Sequence, residues 1–415
     1  MSLYGMMQTG GSGMNAQSNR LSTVAENIAN SSTVGYKRAS TEFSSMILPS
    51  SSGNYNSGGV ETKVRYSISQ EGAKTYTTSK SDMAIAGNGF FIVADANGQN
   101  FLTRAGAFTQ DKSGNLTNSA GFTLMGYPYG DGTEPKVVVN GFEGLTEVNL
   151  ASEGLKASGS TKGSMGANLP DSALTTDAPL STSLVAYDSQ GNTRLLDFVY
   201  SKTAANTWSL EVRDKATYVP ASAGPPAVPA QGVLGTKTLT FDTKGVLTST
   251  PATMTLSGIN PLSTGGVLNP LTIDLSKTTQ LGYKFNPDGG SVDGNAPSKA
   301  AGFEVNSDGV LFVRYENNKL EPRYRIALAT VQSPDKLSPQ QGNVYSQGAD
   351  SGVIITGFPG SGSFGSITPG ALESSNVDIA QELTAMIESQ RSYTANSKVF
   401  QTGSDLLDVL VNLKR

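Results

Sequence analysis

The chain has 415 residues, no histidine, no cysteine, 47 glycines, 15% charged residues and a net charge of −4. Without His and Cys there is no Ser/His/Asp triad, no Cys/His nucleophile, no disulfide and no usual zinc site, and so sparse a charge argues against nucleic acid as a partner. A length of this order predicts roughly two to four domains, and no apolar run approaches the ~18 residues of a membrane-spanning helix, so membrane insertion is not expected.

The first predicted element is a helix over residues 2–29. Leu3, Met7, Gly10, Met14, Gln17, Leu21, Val24 and Ile28 recur at alternating spacings of four and three, one stripe along a helix. Gly10, Gly11 and Gly13 each cost about 1 kcal/mol relative to alanine in a helix interior, so the segment is weak alone and is expected to fold on assembly. Its start has no basic cluster and no unbroken apolar core, unlike a cleaved secretory signal. Asn27 and Asn30 suit a helix end, and Gly35 a backbone geometry that other residues resist.

From residue 31 to 75 the helical period is lost among Ser, Gly, Asn and Thr, which reads as an extended connector ending in a strand-like stretch at Val60, Val64, Tyr66 and Ile68. Ala84 to Ala86 and Phe90 to Val93 flank Gly87 and Gly89, predicting a hairpin turned on the glycine pair. A phosphate loop is rejected because its glycines should open a helix, whereas a second strand follows. Turn signals at Asn97-Gly98, Ser113-Gly114-Asn115 and Ala120-Gly121 make residues 76–148 a β domain.

Residues 149–282 are β-like with a different texture, rich in Thr and Ser and holding the single tryptophan, Trp208. The proline-rich stretch 223–232 reads as an exposed loop. Strand character returns at Phe303 to Val305, Val310 to Tyr315 and Tyr324 to Val331, so residues 283–349 complete the first β domain and 149–282 is inserted into it. A Gly/Ser/Pro linker at 350–373 precedes a second long helix, expected from near Ser375. With residues 1–30 it forms a terminal helical domain, 374–415, whose stripe runs Ile379, Leu383, Met386, Gln390, Tyr393, Ser397, Phe400 and Leu407, drifting to Leu410. Such a stripe needs a partner: the helix at the other end of the same chain, or that of a neighbouring copy.

Candidate chemistry is thin. The acidic, glycine-containing run 286–294 lacks the ligand spacing of an EF-hand and reads as a turn. Ser333 and Lys336 match a bare S-x-x-K, with no supporting motif around them. No catalytic, cofactor-binding or metal-ligating residue is assigned, and no cofactor is expected.

Three segments carry a specific signature. Residues 12–17 continuing through Asn27, Asn30, Gly35, Tyr36, Lys37 and Arg38, then Asp82 to Val93, then Ala371 to Asp378 with Glu382, Met386, Gln390, Arg391 and Tyr393, resemble in that order the motifs of the bacterial flagellar rod and hook protein family. The resemblance covers both ends and the first β domain; residues 149–282 carry no matching motif. It implies a multidomain fold with long α-helical termini forming a coiled-coil-like inner layer and two nested, mostly β outer domains. It also implies an extracellular, non-enzymatic subunit of a tubular homopolymer, exported through the flagellar type III apparatus. The implied partners are further copies, a rod protein, a hook cap, a hook–filament junction protein and the export apparatus. Rod members lack so large an insertion, so length favours the hook. The alternatives are a distal rod protein or, from another class, a secreted β-rich adhesin or glycan hydrolase with paired carboxylates in 149–282. The expected assembly residues are Leu3, Met7, Met14, Leu21, Val24 and Ile28 at one end and Ile379, Leu383, Met386, Tyr393, Phe400, Leu407 and Leu410 at the other, with Asn27, Asn30, Gly35 and Tyr36 as the junction.

Overall fold

The computed structural model describes residues 3–46, 58–130, 133–151, 154–221, 231–257 and 266–412, and the Leu3 side chain lies outside that set. The expected assembly role of Leu3, and all but the end of the proline-rich loop at 223–232, therefore fall outside the described residues. The chain divides into two units, one of Met1–Ser152, Ala301–Arg314 and Lys319–Arg415, the other of Glu153–Ala300 and Tyr315–Asn318.

In the first unit the ends of the chain are helices, α1 (Leu3–Ala29) and α2 (Ile379–Asn412). The second begins later than Ser375 because Asp378 caps it, its Oδ1 accepting the amides of Ala380 at 2.9 Å and Gln381 at 3.3 Å, the usual role of Asp at this position. The helices run antiparallel. Asn27 lies against Glu382, Arg20 pairs with Glu388 at 2.9 Å, and Gly13 lies opposite Asn396. A Cβ on Gly10 would stand 3.3 Å from the Asn396 carbonyl oxygen, one on Gly13 2.8 Å from the Asn396 side chain, and one on Gly403 2.7 Å from Met7. Gly10 and Gly13, two of the three glycines that weaken α1 alone, are thus what lets α2 approach, whereas Gly11 faces open space. Gly10→Val is expected to force the helices apart at a cost of about 1–3 kcal/mol, read as an earlier thermal loss of helical signal.

The stretch expected as an extended connector instead folds into a two-stranded antiparallel hairpin, β1 (Ala39–Met46) with β2 (Gly59–Tyr66), from Ala39 opposite Tyr66 to Met46 opposite Gly59. Its core-facing alternation is missing because it lies along α1 through polar contacts. Ser12 Oγ donates to the Val60 carbonyl at 3.0 Å and accepts its amide at 2.8 Å, Asn19 Nδ2 donates to Thr62 Oγ1 at 2.8 Å, and Thr23 and Thr41 share a hydroxyl contact at 3.0 Å.

After β3 (Lys74–Tyr76), the strands β4 (Met83–Ala86) and β5 (Phe90–Ala94) do not form the expected hairpin. Gly87 and Gly89 do turn the chain, at φ of +97° and +132°, but β4 pairs with Ser366–Pro369 while β5 pairs with Asn100–Thr103, Thr123–Pro128 and Leu328–Thr330. Both strands are buried, and each finds separate partners. Phe91, Val93, Phe108, Leu124, Leu311 and Leu328 make the core beneath β5.

One device closes the tight turns in both units. Asp95, Asp111, Asn118, Asp188, Asp242 and Asn306 each accept, through Oδ1, the amides two and four residues ahead. In every case a glycine of positive φ stands three residues on, at Gly98, Gly114, Gly121, Gly191, Gly245 and Gly309. The side chain imitates a backbone turn and the glycine takes the left-handed position.

The second unit has its own core of Phe198, Tyr200, Trp208, Leu210, Leu239 and Ile273, among others. A four-stranded antiparallel sheet runs Leu180–Tyr187, Thr193–Ala204, Thr207–Asp214 and Val233–Thr240, and a five-stranded sheet is built around Lys162–Pro170. This unit continues to Ala300, beyond the expected boundary at residue 282. Asn286–Val292, read from sequence as a turn, is an edge strand antiparallel to Lys162–Pro170, and Asn295–Ser298 pairs with Lys156–Ser158. Because the first of these is almost wholly exposed, it has no period-two signal to find. Trp208 is buried in this unit alone, so its fluorescence is expected to report the unfolding of the second unit and stay blind to substitutions at the chain ends.

Candidate assembly site

At the end of α1 the chain turns through residues 30–38 into β1, passing a buried polar cluster. Asn27 is fully buried. Its Nδ2 donates to the Ala39 carbonyl at 2.7 Å and to Glu382 Oε2 at 3.1 Å, and its Oδ1 accepts the Ala39 amide at 2.9 Å and the Tyr36 hydroxyl at 3.3 Å. One amide therefore fixes the helix, the strand that follows and α2 to one another. Burial, and after it Glu26, Tyr66 and Glu382, push the Tyr36 phenol far above its ordinary range, so it stays protonated and donates.

Asn30 closes the helix locally, its Nδ2 donating to the Glu26 carbonyl at 3.0 Å. Gly35 has φ +67°, its amide donates to the Glu373 carbonyl at 2.7 Å, and a Cβ there would lie 2.6 Å from the Arg104 backbone. Gly35→Ala is expected to cost about 1–3 kcal/mol, read as a lower denaturant midpoint, because both the dihedral and the space forbid a side chain.

Around these residues stand charged groups not among the expected site residues. Lys37 Nζ meets Glu373 Oε1 at 2.6 Å with both side chains 1% exposed, and Arg104 reaches Glu373 Oε2 at 3.2 Å. Burial lowers the Lys37 pKa while Glu373 pulls it back up. Arg38 pairs with buried Glu382 at 2.5 Å, and its amide donates to Asn376 Oδ1 at 2.7 Å. Lys37, Arg38, Glu373, Asn376 and Glu382 lie in stretches that carry the family signature, and their charge in a chain so poor in it was an available signal. Arg104 had none, since its partners are remote in sequence.

The expected assembly residues divide into two groups. On α1, Met7, Met14, Leu21 and Ile28 are half-buried and Val24 is buried. On α2, the positions that face α1 are polar or small: Glu382, Ser389 and Gly403 are buried and Asn396 sits on Gly13, a seven-residue rhythm. The apolar stripe lies elsewhere. Ile379, Leu383, Tyr393, Phe400, Leu407 and Leu410 are exposed, joined by Ile387, Val399, Leu406, Val409 and Val411, and Met386 is half-buried. Phe400 is the member of the stripe that stands against α1, opposite Gly10; most of the others are left open on the subunit. Among the described residues no cluster of acidic side chains is arranged to hold a metal ion, and no helix is long and apolar enough to cross a membrane.

Family comparisons place these elements. Residues 7–37 match the flagella basal body rod protein family, 84–159 the flagellar hook protein FlgE/F/G D1 domain, 167–295 the flagellar basal body protein FlaE D2 domain, and 368–413 the C-terminal region of flagellar basal body rod FlgEFG proteins. The flagellar hook protein FlgE of Rhizobium meliloti (strain 1021) is 69% identical over the full length of both chains. This chain belongs to the flagellar hook protein family. The hook protein FlgE of Brucella suis biovar 1 is 46% identical, again over both full lengths, and that of Escherichia coli K12 is 32% identical over 97% of this chain and 98% of its own. The two terminal matches contain Asn27, Tyr36, Lys37, Glu373, Asn376 and Glu382, so the polar cluster of this hook-family chain joins its two rod-like terminal segments to each other. The match to residues 167–295 lies wholly within the second unit.

Proposed function

We propose that this chain is the structural subunit of the bacterial flagellar hook, outside the cell, and that it polymerises through its terminal helices into a flexible tube carrying torque from rod to filament. One observation carries this reading: α2 spends mainly its small and polar residues on α1, with Phe400 beside Gly10, and leaves most of its apolar face uncovered. An apolar helical face without a partner in its own chain fits a heterologous contact with another copy, repeated as an open helical filament. The terminal helices form a coiled-coil-like inner layer and the β units the outer ones. Tight packing between helices transmits torque, while the Thr- and Ser-rich surfaces of the second unit slide as the tube bends. The subunit has no catalytic task. Its other partners are a rod protein, a hook cap, a hook–filament junction protein and the type III export apparatus.

A straight rod component is the competing reading, and full-length relatives named as hook proteins weigh against it. Deleting residues 1–29 is expected to leave soluble, folded β units that form no tubes under electron microscopy. Tubes from that truncated chain would defeat the proposal, and straight, stiff tubes from the full chain would favour a rod.

A further inference from the structure

The two ends of the helix pair are unlike. At one end α2 outruns α1: Gly403 lies against Met7 while α1 starts at Leu3, so the last turns of α2 have no α1 opposite them. Leu406, Leu407, Val409, Leu410 and Val411 there are all exposed, a broad apolar face beside a polar edge of Asp405, Asp408 and Asn412, wide enough to need a partner. Lys414 and Arg415 follow.

At the other end, beside the junction, a groove of about 440 Å³ is lined by Glu26, Tyr36, Tyr66, Pro339, Gln341 and Val344 among others. It is the C-terminal end of α1, with no basic residue in the last turn, so the negative end of the helix dipole and the Glu26 carboxylate both favour a cation there. The tyrosine rings offer faces to a cation or to an aliphatic chain.

Resting on the head-to-tail stacking proposed above, we propose that this groove receives the C-terminal end of α2 from a second copy, with Leu410 and its neighbours against the tyrosine and proline walls and Lys414 and Arg415 toward Glu26. The charges are complementary: of the two charged side chains lining the groove, Lys37 is buried against Glu373 and Glu26 is exposed, so the open charge at the helix C-terminus suits the basic residues that follow the apolar turns. The same chain cannot make the contact, because α1, at 27 residues, holds the two ends about 40 Å apart. Stacking copies end to end brings them together.

The absence of cysteine makes the test clean. Gln341→Cys, at an exposed position, and Lys414→Cys are prepared as separate proteins, mixed and polymerised, and tubes are verified by electron microscopy before mild oxidation. A disulfide-linked dimer containing one of each variant is expected in tubes and absent in the unpolymerised mixture. Normal tubes with no such dimer would overturn the inference while leaving the hook reading intact, as would a dimer formed only when the second cysteine replaces Gln8 on the face of α1. If either variant fails to assemble, Ser119→Cys on the groove rim replaces Gln341→Cys. As an independent measure, Glu26→Lys is expected to raise the critical concentration for assembly about two- to fivefold, with Lys414→Glu restoring it. Failure of the charge swap to restore assembly counts against the groove as its seat.

Discussion

Glu373→Ala should destabilise the first unit by about 3–5 kcal/mol, because it strands two buried cations. Lys37 and Arg104 both end on this carboxylate at 2.6 and 3.2 Å, and Gly72 donates its amide to the same oxygen as Lys37, at 2.9 Å. Arg104 would retain the Gly87 carbonyl at 2.9 Å and its stacking on Phe90, and Lys37 the Gln70 carbonyl, but neither carbonyl cancels a full charge. The loss is many times what a surface ion pair such as Arg65–Glu42, both more than half exposed, is worth. Chemical unfolding followed by far-ultraviolet dichroism should show the midpoint of the first unit falling, while Trp208 fluorescence, which belongs to the other unit, keeps its midpoint. Glu373→Gln, which keeps the shape and two polar atoms, should lose less.

Leu383→Asp should have the opposite profile: almost no effect on the free chain and a large one on the polymer. Leu383 is 47% exposed in the isolated subunit, where surface substitutions usually change stability by no more than about 0.5 kcal/mol. If other copies cover it, the polymer loses about 1.5–3 kcal/mol of apolar burial and also has to bury a carboxylate. The critical concentration for tube formation, measured by sedimentation, should then rise at least about tenfold. Asp at Ser389, which faces α1 within the same chain, should instead damage the subunit itself.

The two ends of this molecule were legible because helical rhythm is a local property. The stripe from Met7 to Ile28 and that from Ile379 to Leu407 could each be counted off, and α1 and α2 stand where those counts put them. Which face of α2 meets α1 was not legible. The contact is made by Gly10, Gly13, Asn396 and Gly403, residues that read as weak helix formers until a second helix is seen lying on them. The strand-like stretch from Val60 is β2, but its pairing with β1 was not legible for a related reason, since the hairpin is held to α1 by hydroxyls and amides, and sequence patterns register apolar periodicity.

Turns were predictable at several places where Asp or Asn precedes a glycine by three residues, as at Asp95 and Gly98, although the same spacing at Asn286 and Gly289 lies in an edge strand. Pairing between distant strands was not, and β4 and β5 show why: a glycine pair between two buried apolar runs bends the chain equally well whether the runs pair with each other or part. The polar cluster is the clearest gap. Asn27 and Tyr36 were found through a motif, but the carboxylates they and their neighbours converge on come from residues 373 and 382, more than 330 positions later.

The claim beneath all of this is that the terminal helices become fully buried only among other copies. Amide hydrogen exchange, compared between the free subunit and its tubes, tests it most directly. Residues 3–29 and 379–412 should exchange readily in the free chain and become strongly protected in tubes, while the second unit's core around Trp208 keeps the same protection in both. Helices as protected in the free subunit as in the polymer would contradict the account.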